Sequence, residues 1–466
     1  MSRSSFALLS SCLMVAWLVP LQAQTAVISD QEIGKVWSGH PVTFVFLSER
    51  GHQFIAYYDA ERRITIAVRK LGEEWIMVQP EGWPHPRAKR LTTVTEWDSH
   101  NYLALALDRD GNLHLSGNMH NDPLVYFRTE RPFDIRSMVC LDRMTGLREN
   151  RVTYLVFFKN QEGDLLFRYR DGGSGNGADL YNRYDSVSKN WSRLLDVPLL
   201  DVPLLDDGGK RNVYAMSSML GPDGRFHLVW MWRETPDAAT NHTLSYARSR
   251  DFLNWEKSDG SPLALPMTLE TAEVVDPVVM HGGLINMTFN LGFDAEKRPV
   301  ITYHRYDSAG KSQIFAARPA VSSRRWDFHA ISQWDFRWDF GGGGSLNADV
   351  TVGPPVLRPD QSLLVNFSTT HSPVDGRVHL SAETLKPLET LPALPTLLPP
   401  SLAKQETEGM EVQTLPFRDG GRLWVLRWET LPRNRDLARK QVPPPSKLRL
   451  IGLPDTEVSG ALRIGS

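Results

Sequence analysis

His100 and His120 are the side chains of this chain best suited to moving protons near neutral pH, because an unperturbed imidazole changes charge there. Both belong to the stretch Trp97-Asp-Ser-His-Asn-Tyr-Leu-Ala-Leu-Ala-Leu-Asp-Arg-Asp-Gly-Asn-Leu-His-Leu-Ser-Gly-Asn-Met-His120, which reads as two strands joined by an Asp-Gly turn. Side-chain period 2 in the second strand places His114, Ser116, Asn118 and His120 on one face, and a hairpin brings His100 towards His120. That face is too specialised for solvent decoration. Further along, Phe167-Arg-Tyr-Arg-Asp-Gly-Gly-Ser-Gly-Asn-Gly177 and Tyr181-Asn-Arg-Tyr-Asp185 add phenols and guanidinium groups around a glycine-rich loop that lets backbone approach a ligand closely. Asn241-His-Thr-Leu-Ser-Tyr246 offers His242 and Tyr246 from a later strand.

The elements that must hold these groups recur along the chain. Seven strand–turn–strand patterns start at Tyr57, Leu107, Lys159, Leu220, Phe293, Leu357 and Phe417. Their spacing of roughly 50 to 70 residues exceeds the roughly 40 to 50 of a propeller blade and leaves room for long loops. Several repeats close with a tryptophan after a polar turn, at Trp75, Trp191, Trp255 and Trp326, and Ser249-Arg-Asp resembles a degenerate Asp-box, a turn that fixes a hairpin. Helical periodicity is weak, whereas Val, Ile, Tyr, Phe and Trp cluster in short runs, so the fold class expected is all-β, a seven-bladed β-propeller over residues 24–466 as a single domain. The copies Leu194-Leu-Asp-Val-Pro and Leu199-Leu-Asp-Val-Pro read as a duplication tolerated in a surface loop.

Composition narrows the setting. Residues 1–23 carry Arg3, the apolar run Phe6 to Leu21 and Ala23, the pattern of a cleavable signal peptide, which implies a secreted or periplasmic protein. Cleavage leaves Cys140 alone, so no internal disulfide forms and stability must come from burial. No other segment approaches the ~20 apolar residues of a membrane span. The formal charge of −2 becomes −3 without Arg3, which argues against nucleic acid and makes an anionic ligand dependent on a local basic site.

His100-Asn-Tyr-Leu-Ala-Leu-Ala-Leu-Asp, Leu113-His-Leu-Ser-Gly-Asn-Met-His120, the Phe167 and Tyr181 segments, Gly283-Leu-Ile-Asn-Met287, Tyr303-His-Arg-Tyr-Asp307 and Gln333-Trp-Asp-Phe-Arg-Trp-Asp-Phe-Gly-Gly-Gly-Gly-Ser-Leu346 together resemble the BNR-4 type propeller proteins, including the ulvan lyases of the polysaccharide lyase class. The resemblance implies cleavage of a uronic-acid polysaccharide by β-elimination: a base takes the C5 proton, an acid protonates the leaving O4, and a cation or hydrogen-bond cluster holds the carboxylate. It makes His100 the base, Tyr169 the acid and Arg183 the partner of the carboxylate, with His120 binding substrate or helping neutralise it. Asn118, Arg170, His242 and Tyr246 then line the sugar site. Because alternation sets Tyr169 on the opposite face from Arg168 and Arg170, one of those arginines is the alternative to Arg183. Members of the group can carry a structural ion, and His281 and His304 are the two candidate ligands here for zinc or calcium, short of a full tetrahedral set. The chemistry itself requires no cofactor.

Two other classes compete. A sialidase-type hydrolase shares the propeller and the Asp-box-like turn, but no clear set of three arginines stands at equivalent positions. In a sugar-binding propeller without catalysis the His-Asn-His strand only hydrogen-bonds sugar hydroxyls, and Trp230 and Trp232, read as exposed aromatics, stack on sugar rings under either reading. The reading adopted is an exported monomeric lyase acting on an anionic polysaccharide, with ulvan the leading substrate and the uronate epimer left open.

Overall fold

The computed structural model describes residues 27–173, 176–200, 211–321, 325–371, 375–393, 398–419 and 421–455. The expected signal peptide over residues 1–23 and most of the second copy of the duplicated pentapeptide lie outside the described residues.

The chain is an all-β propeller. Six sheets are each built from one continuous stretch of chain: residues 45–78, 103–141, 152–193, 212–276, 290–330 and 350–392. A further sheet is composite, joining three C-terminal strands, Glu411–Asp419, Arg422–Thr430 and Ser446–Pro454, to the N-terminal strand Ser29–Val36. That strand runs antiparallel to Ser446–Pro454, with Asp30 opposite Ile451, and the Asp30 carboxylate pairs with Arg449. First strands of neighbouring sheets meet at Val45–Glu49 with Leu103–Leu107, Leu103–Leu107 with Val152–Lys159, and Asn290–Phe293 with Val350–Leu357; Asn176–Asp185 meets Asn212–Ala215, and Glu411–Asp419 meets Val45–Glu49, which closes the ring. Among the described residues the only α-helix is the four-residue Pro400–Ala403.

The strands are short because the turns are specified locally. Asp108 caps its own turn by accepting from the backbone N–H groups of Asp110 and Asn112. The same device recurs at Asp294, which accepts from Arg298 N–H. Six of the expected hairpin turns join the first and second strands of their sheets; the Tyr57 pattern instead joins the second strand, His52–Tyr58, to the third, Ile64–Lys70. Trp191, Trp255 and Trp326 lie in the fourth strands of their sheets and Trp75 immediately before one. The Asp-box-like turn is structural: Ser249 donates to the Asn254 carbonyl, and Asp251 accepts from Leu253 and Asn254 N–H.

Inner strands are covered on both faces by neighbouring sheets, so they read as apolar runs rather than alternations. Phe226–Arg233 is buried at every position. Trp230 and Trp232, expected to be open to a ligand, are fully buried between the third and fourth sheets, so they hold the ring together rather than stack on sugars.

Candidate active site

All the proton-active groups of interest meet on one rim, where the first strands begin and the second strands end. Asp98 precedes the strand Leu103–Leu107, and its Oδ1 accepts from the backbone N–H of His100, a two-residue turn that fixes the histidine's position. The same carboxylate accepts from both imidazoles: His100 Nδ1 donates to Oδ1 at 2.7 Å and His120 Nδ1 to Oδ2 at 2.6 Å. A carboxylate only accepts, so each Nδ1 carries the hydrogen and each neutral ring keeps its lone pair on Nε2. The rings stack with centroids 4.1 Å apart and are 21 % and 27 % exposed, open enough to meet a ligand. Burial alone would raise the Asp98 carboxyl, but the hydrogen bonds and charge of the two histidines outweigh it and hold the group well below the usual carboxylate range.

Asp436 supports this pair from the composite sheet. Its Oδ1 accepts from His40 Nε2 and Ser99 N–H, its Oδ2 from Ser345 N–H, and Oδ2 lies 3.9 Å from His100 Nδ1. Burial opposes ionisation here too, as does the Asp98 charge, yet the His40 and Ser99 donors and the charge of His100 bring its pKa down to about 2.

The phenol beside the histidines is Tyr154, a residue the sequence reading missed. Its ring lies 5.6 Å from His100 and 6.4 Å from His120. In the third sheet Thr153 pairs with Arg170 but Val156 with Arg168, so the strand Val152–Lys159 holds one extra residue, and Tyr154 sits there at φ +53°. This bulge re-aims the ring into the cleft. No periodicity signals it, since alternation would treat Tyr154 like any strand residue. Burial first, then the neighbouring Tyr214, push the phenol up to about 12 against the opposing pull of Arg170 and Arg233, so it is neutral and a proton donor at neutral pH.

Arg170 completes the cluster. Its guanidinium lies 4.5 Å from the Tyr154 ring centroid and 5.4 Å from that of Tyr214, and Nε donates to the Gly172 carbonyl. Both terminal nitrogens are buried and find no acceptor among the described residues. A buried guanidinium without a partner is costly, and its fork matches a carboxylate. Arg233 lies over Tyr214 and donates to its hydroxyl at 2.8 Å.

The structure separates several residues that the resemblance grouped. Tyr169 points to the other face of its sheet from Arg170; its hydroxyl faces the Leu147 and Arg148 carbonyls and takes a hydrogen bond from Arg193, and burial pushes it up to about 12. Arg183 is opposite Leu166 while Arg170 is opposite Asp179, so the two lie four residues apart along the strand, roughly 13 Å. Arg183 is exposed at the far rim, paired with Asp164. Asn118 does not share a face with His120 either: at φ +62° it turns inward and gives its amide to the Thr92 and Val94 carbonyls. His114 is buried against Asp108 and Tyr126. His242 is held by Glu234 at 2.7 Å, and Tyr246 is fully buried with its hydroxyl on His227.

His281 and His304 do not fit a zinc or calcium set. His304 is buried among Tyr306, Trp338 and Phe340 with Nδ1 on the Gly283 carbonyl, whereas His281 is exposed. No third ligating side chain joins them among the described residues; the one such group whose donor atoms lie within 4.8 Å of one another is Asp98, His100 and His120.

Comparison with known proteins places this geometry. Residues 52–334 match the model of the BNR repeat-containing family, more than half of the chain and the whole of the His100 to Arg233 cluster. The chain belongs to the BNR repeat-containing family. Within this BNR family protein, 123 residues are 28% identical to the long isoform of an ulvan lyase from Alteromonas sp, covering 25% of this chain and 12% of that protein. A segment of 135 residues is 25% identical to a short isoform from Alteromonas sp. (strain LOR), covering 27% and 25%. The matches therefore span well under two thirds of those relatives. The fold is similar to the crystal structure of polysaccharide lyase Uly1, with TM-score 0.60 and 12% identity over 92% of this chain and 99% of that one. It is similar also to a PL25 ulvan lyase bound to -[GlcA(1-4)Rha3S]-, with TM-score 0.58 and 14% identity over 90% and 94%.

Proposed function

We propose that this BNR family protein is a polysaccharide lyase that cleaves a uronic-acid polymer by β-elimination, with ulvan the first substrate to test. The observation that carries the reading is Arg170, a buried guanidinium with two unpartnered terminal nitrogens beside a proton-accepting histidine pair and a neutral phenol. The curated ulvan lyases it resembles support the substrate class.

Arg170 takes the uronate carboxylate in a bidentate grip and so stabilises the negative charge that builds when C5 loses its proton. His100 Nε2 removes that proton, and Asp98 offsets the positive charge the ring acquires. The C5–H electron pair becomes the C4–C5 double bond, the C4–O4 bond breaks towards oxygen, and the Tyr154 hydroxyl protonates the departing O4. His120, stacked on His100, presents its own Nε2 to the sugar. In this assignment Tyr154 and Arg170 take the roles the resemblance gave to Tyr169 and Arg183.

The wider reading carries the composite sheet as a seventh blade, export by the leader at residues 1–23, action as a monomer, and no cofactor in the reaction. The test is ultraviolet absorbance of the protein with ulvan and other uronate polymers, which reports the conjugated double bond. A rise that vanishes in His100→Ala supports the reading; new reducing ends without absorbance would replace it with hydrolysis.

A further inference from the structure

The segment 431–445 between the last two strands of the composite sheet lies on the same rim as the histidine pair, and beyond the support that Asp436 gives His100 the proposed chemistry makes no use of it. It is pinned at both ends to Ser38: Leu431 N–H donates to the Ser38 carbonyl, and Ser38 Oγ lies within hydrogen-bond distance of the Pro443 and Pro444 carbonyls. In the middle Asp436 ties it to His40, Ser99 and Ser345 beside His100. Between these anchors stand Arg433, Arg435, Arg439 and Lys440 against the single carboxylate of Asp436.

These cations differ from three other arginines on the rim. Arg87 pairs with Asp122, Arg148 with Asp171 and Arg305 with Asp276. Arg433, Arg435 and Lys440 have no carboxylate within ion-pair distance among the described residues, and Arg435 and Lys440 are exposed. The fold holds them in place. Arg435 and Asp436 adopt φ of +50° and +62°, and the glycine run 341–344 passes directly beneath: a Cβ on Gly344, itself at φ +77°, would lie 2.8 Å from the Arg435 carbonyl oxygen. A run of like charges left unpaired, backed by a backbone built to let it pass, and one residue from a group touching the histidine pair is placed to meet anions as they cross the cleft.

We propose that this cationic arm binds a second anionic group of the polymer, a sulfate ester or a carboxylate, on a sugar neighbouring the one whose carboxylate Arg170 holds. The inference rests on the lyase reading for its ligand class, but its test does not require turnover. Affinity electrophoresis in gels containing ulvan, desulfated ulvan or carboxyl-reduced ulvan reads binding alone. The triple variant Arg433→Gln/Arg435→Gln/Lys440→Gln is expected to bind ulvan roughly tenfold more weakly than wild type, with the deficit shrinking as salt is raised. Lys297→Gln, in the turn at the opposite rim, keeps wild-type retardation. A deficit that disappears on desulfated ulvan names the sulfate; one that disappears on carboxyl-reduced ulvan names a carboxylate. Gly344→Ala, which presses on the arm without removing charge, should weaken binding in the same direction. Equal retardation of wild type and triple variant on every polymer, with unchanged melting temperature, overturns the proposal, as does a wild type that no polymer retards. If the triple variant melts early, Arg435→Gln alone supplies the same comparison. A binding deficit without any double-bond product would leave the arm standing and remove the lyase chemistry.

Discussion

The same residue types occur twice in this molecule in opposite surroundings. Tyr154 and Arg170 face the cleft and each other, whereas Tyr169 and Arg183 are split between the packed face of a sheet and the far rim. His100 and His120 share one carboxylate and meet solvent, whereas His304 is sealed among aromatic rings and His281 stands outside. Residue identity therefore says little about role. The difference lies in a bulge that turns Tyr154 towards the cleft and in the acidic partner that two histidines have and the other two lack.

The sharpest way to break that contrast is to exchange the two phenols. Tyr154→Phe should lower kcat on a uronate polymer by roughly 10³-fold, within the range for losing a general acid, with little change in melting temperature. Tyr169→Phe should keep activity within about threefold and cost about 1 kcal/mol of stability, as expected for a buried hydroxyl losing its hydrogen bonds. Equal activity losses in the two variants would erase the distinction.

The histidines give a pH test. Burial first lowers the His304 pKa to about 4, so the unfolded chain takes up a proton that the folded chain refuses. The stabilising contribution is then complete above the unfolded value of about 6.5 and is lost as pH falls from there towards 4, on the order of 3 kcal/mol in all. Urea midpoints at pH 7.5 and 4.5 should show this fall, and His304→Gln should flatten it. The Asp98 carboxylate, held low, contributes with the same sign in a more acidic window: its share persists down to the unfolded carboxylate range near pH 4 and is lost as pH falls below it.

Arginine exchange is the next step down. Arg170→Lys should cost about 10² in kcat/KM, because a point charge cannot reproduce the two-pronged grip. Arg183→Ala should leave kcat/KM within about twofold and stability within about 0.5 kcal/mol, the usual range for an exposed ion pair. A larger activity loss at Arg183 than at Arg170 would return the carboxylate to the site the resemblance first suggested.

The framework was legible because turns are written in short, local codes. Asp108 to Asn112 and Asp294 to Arg298 close their hairpins with side chains only a few residues from the groups they cap. His100 and His120 were legible for the same reason, each lying at the end of a strand in one hairpin. Tyr154 was not, because one extra residue in a strand changes the direction of a side chain without changing composition or period. Asn118 misled for the related reason that a single left-handed residue ends the alternation that the preceding strand obeys. The arm at residues 431–445 was invisible as a partner of His100, since Asp436 and His100 are far apart in sequence and only ring closure makes them neighbours.

That closure has a mechanical consequence. Asp30 and Arg449 are clasped across 419 positions of chain, the most distant kind of contact a polymer has to make and the last for which the intervening segments must already be in place. The clasp also ends at the arm, because the strand Ser446–Pro454 follows directly from it. Prising Ser29–Val36 away would leave a bare strand edge that invites another chain and would slacken the tether beside His100. The seam of the ring is thus its natural fuse: wear at the N-terminal strand should silence the cleft before the rest of the barrel of sheets loosens.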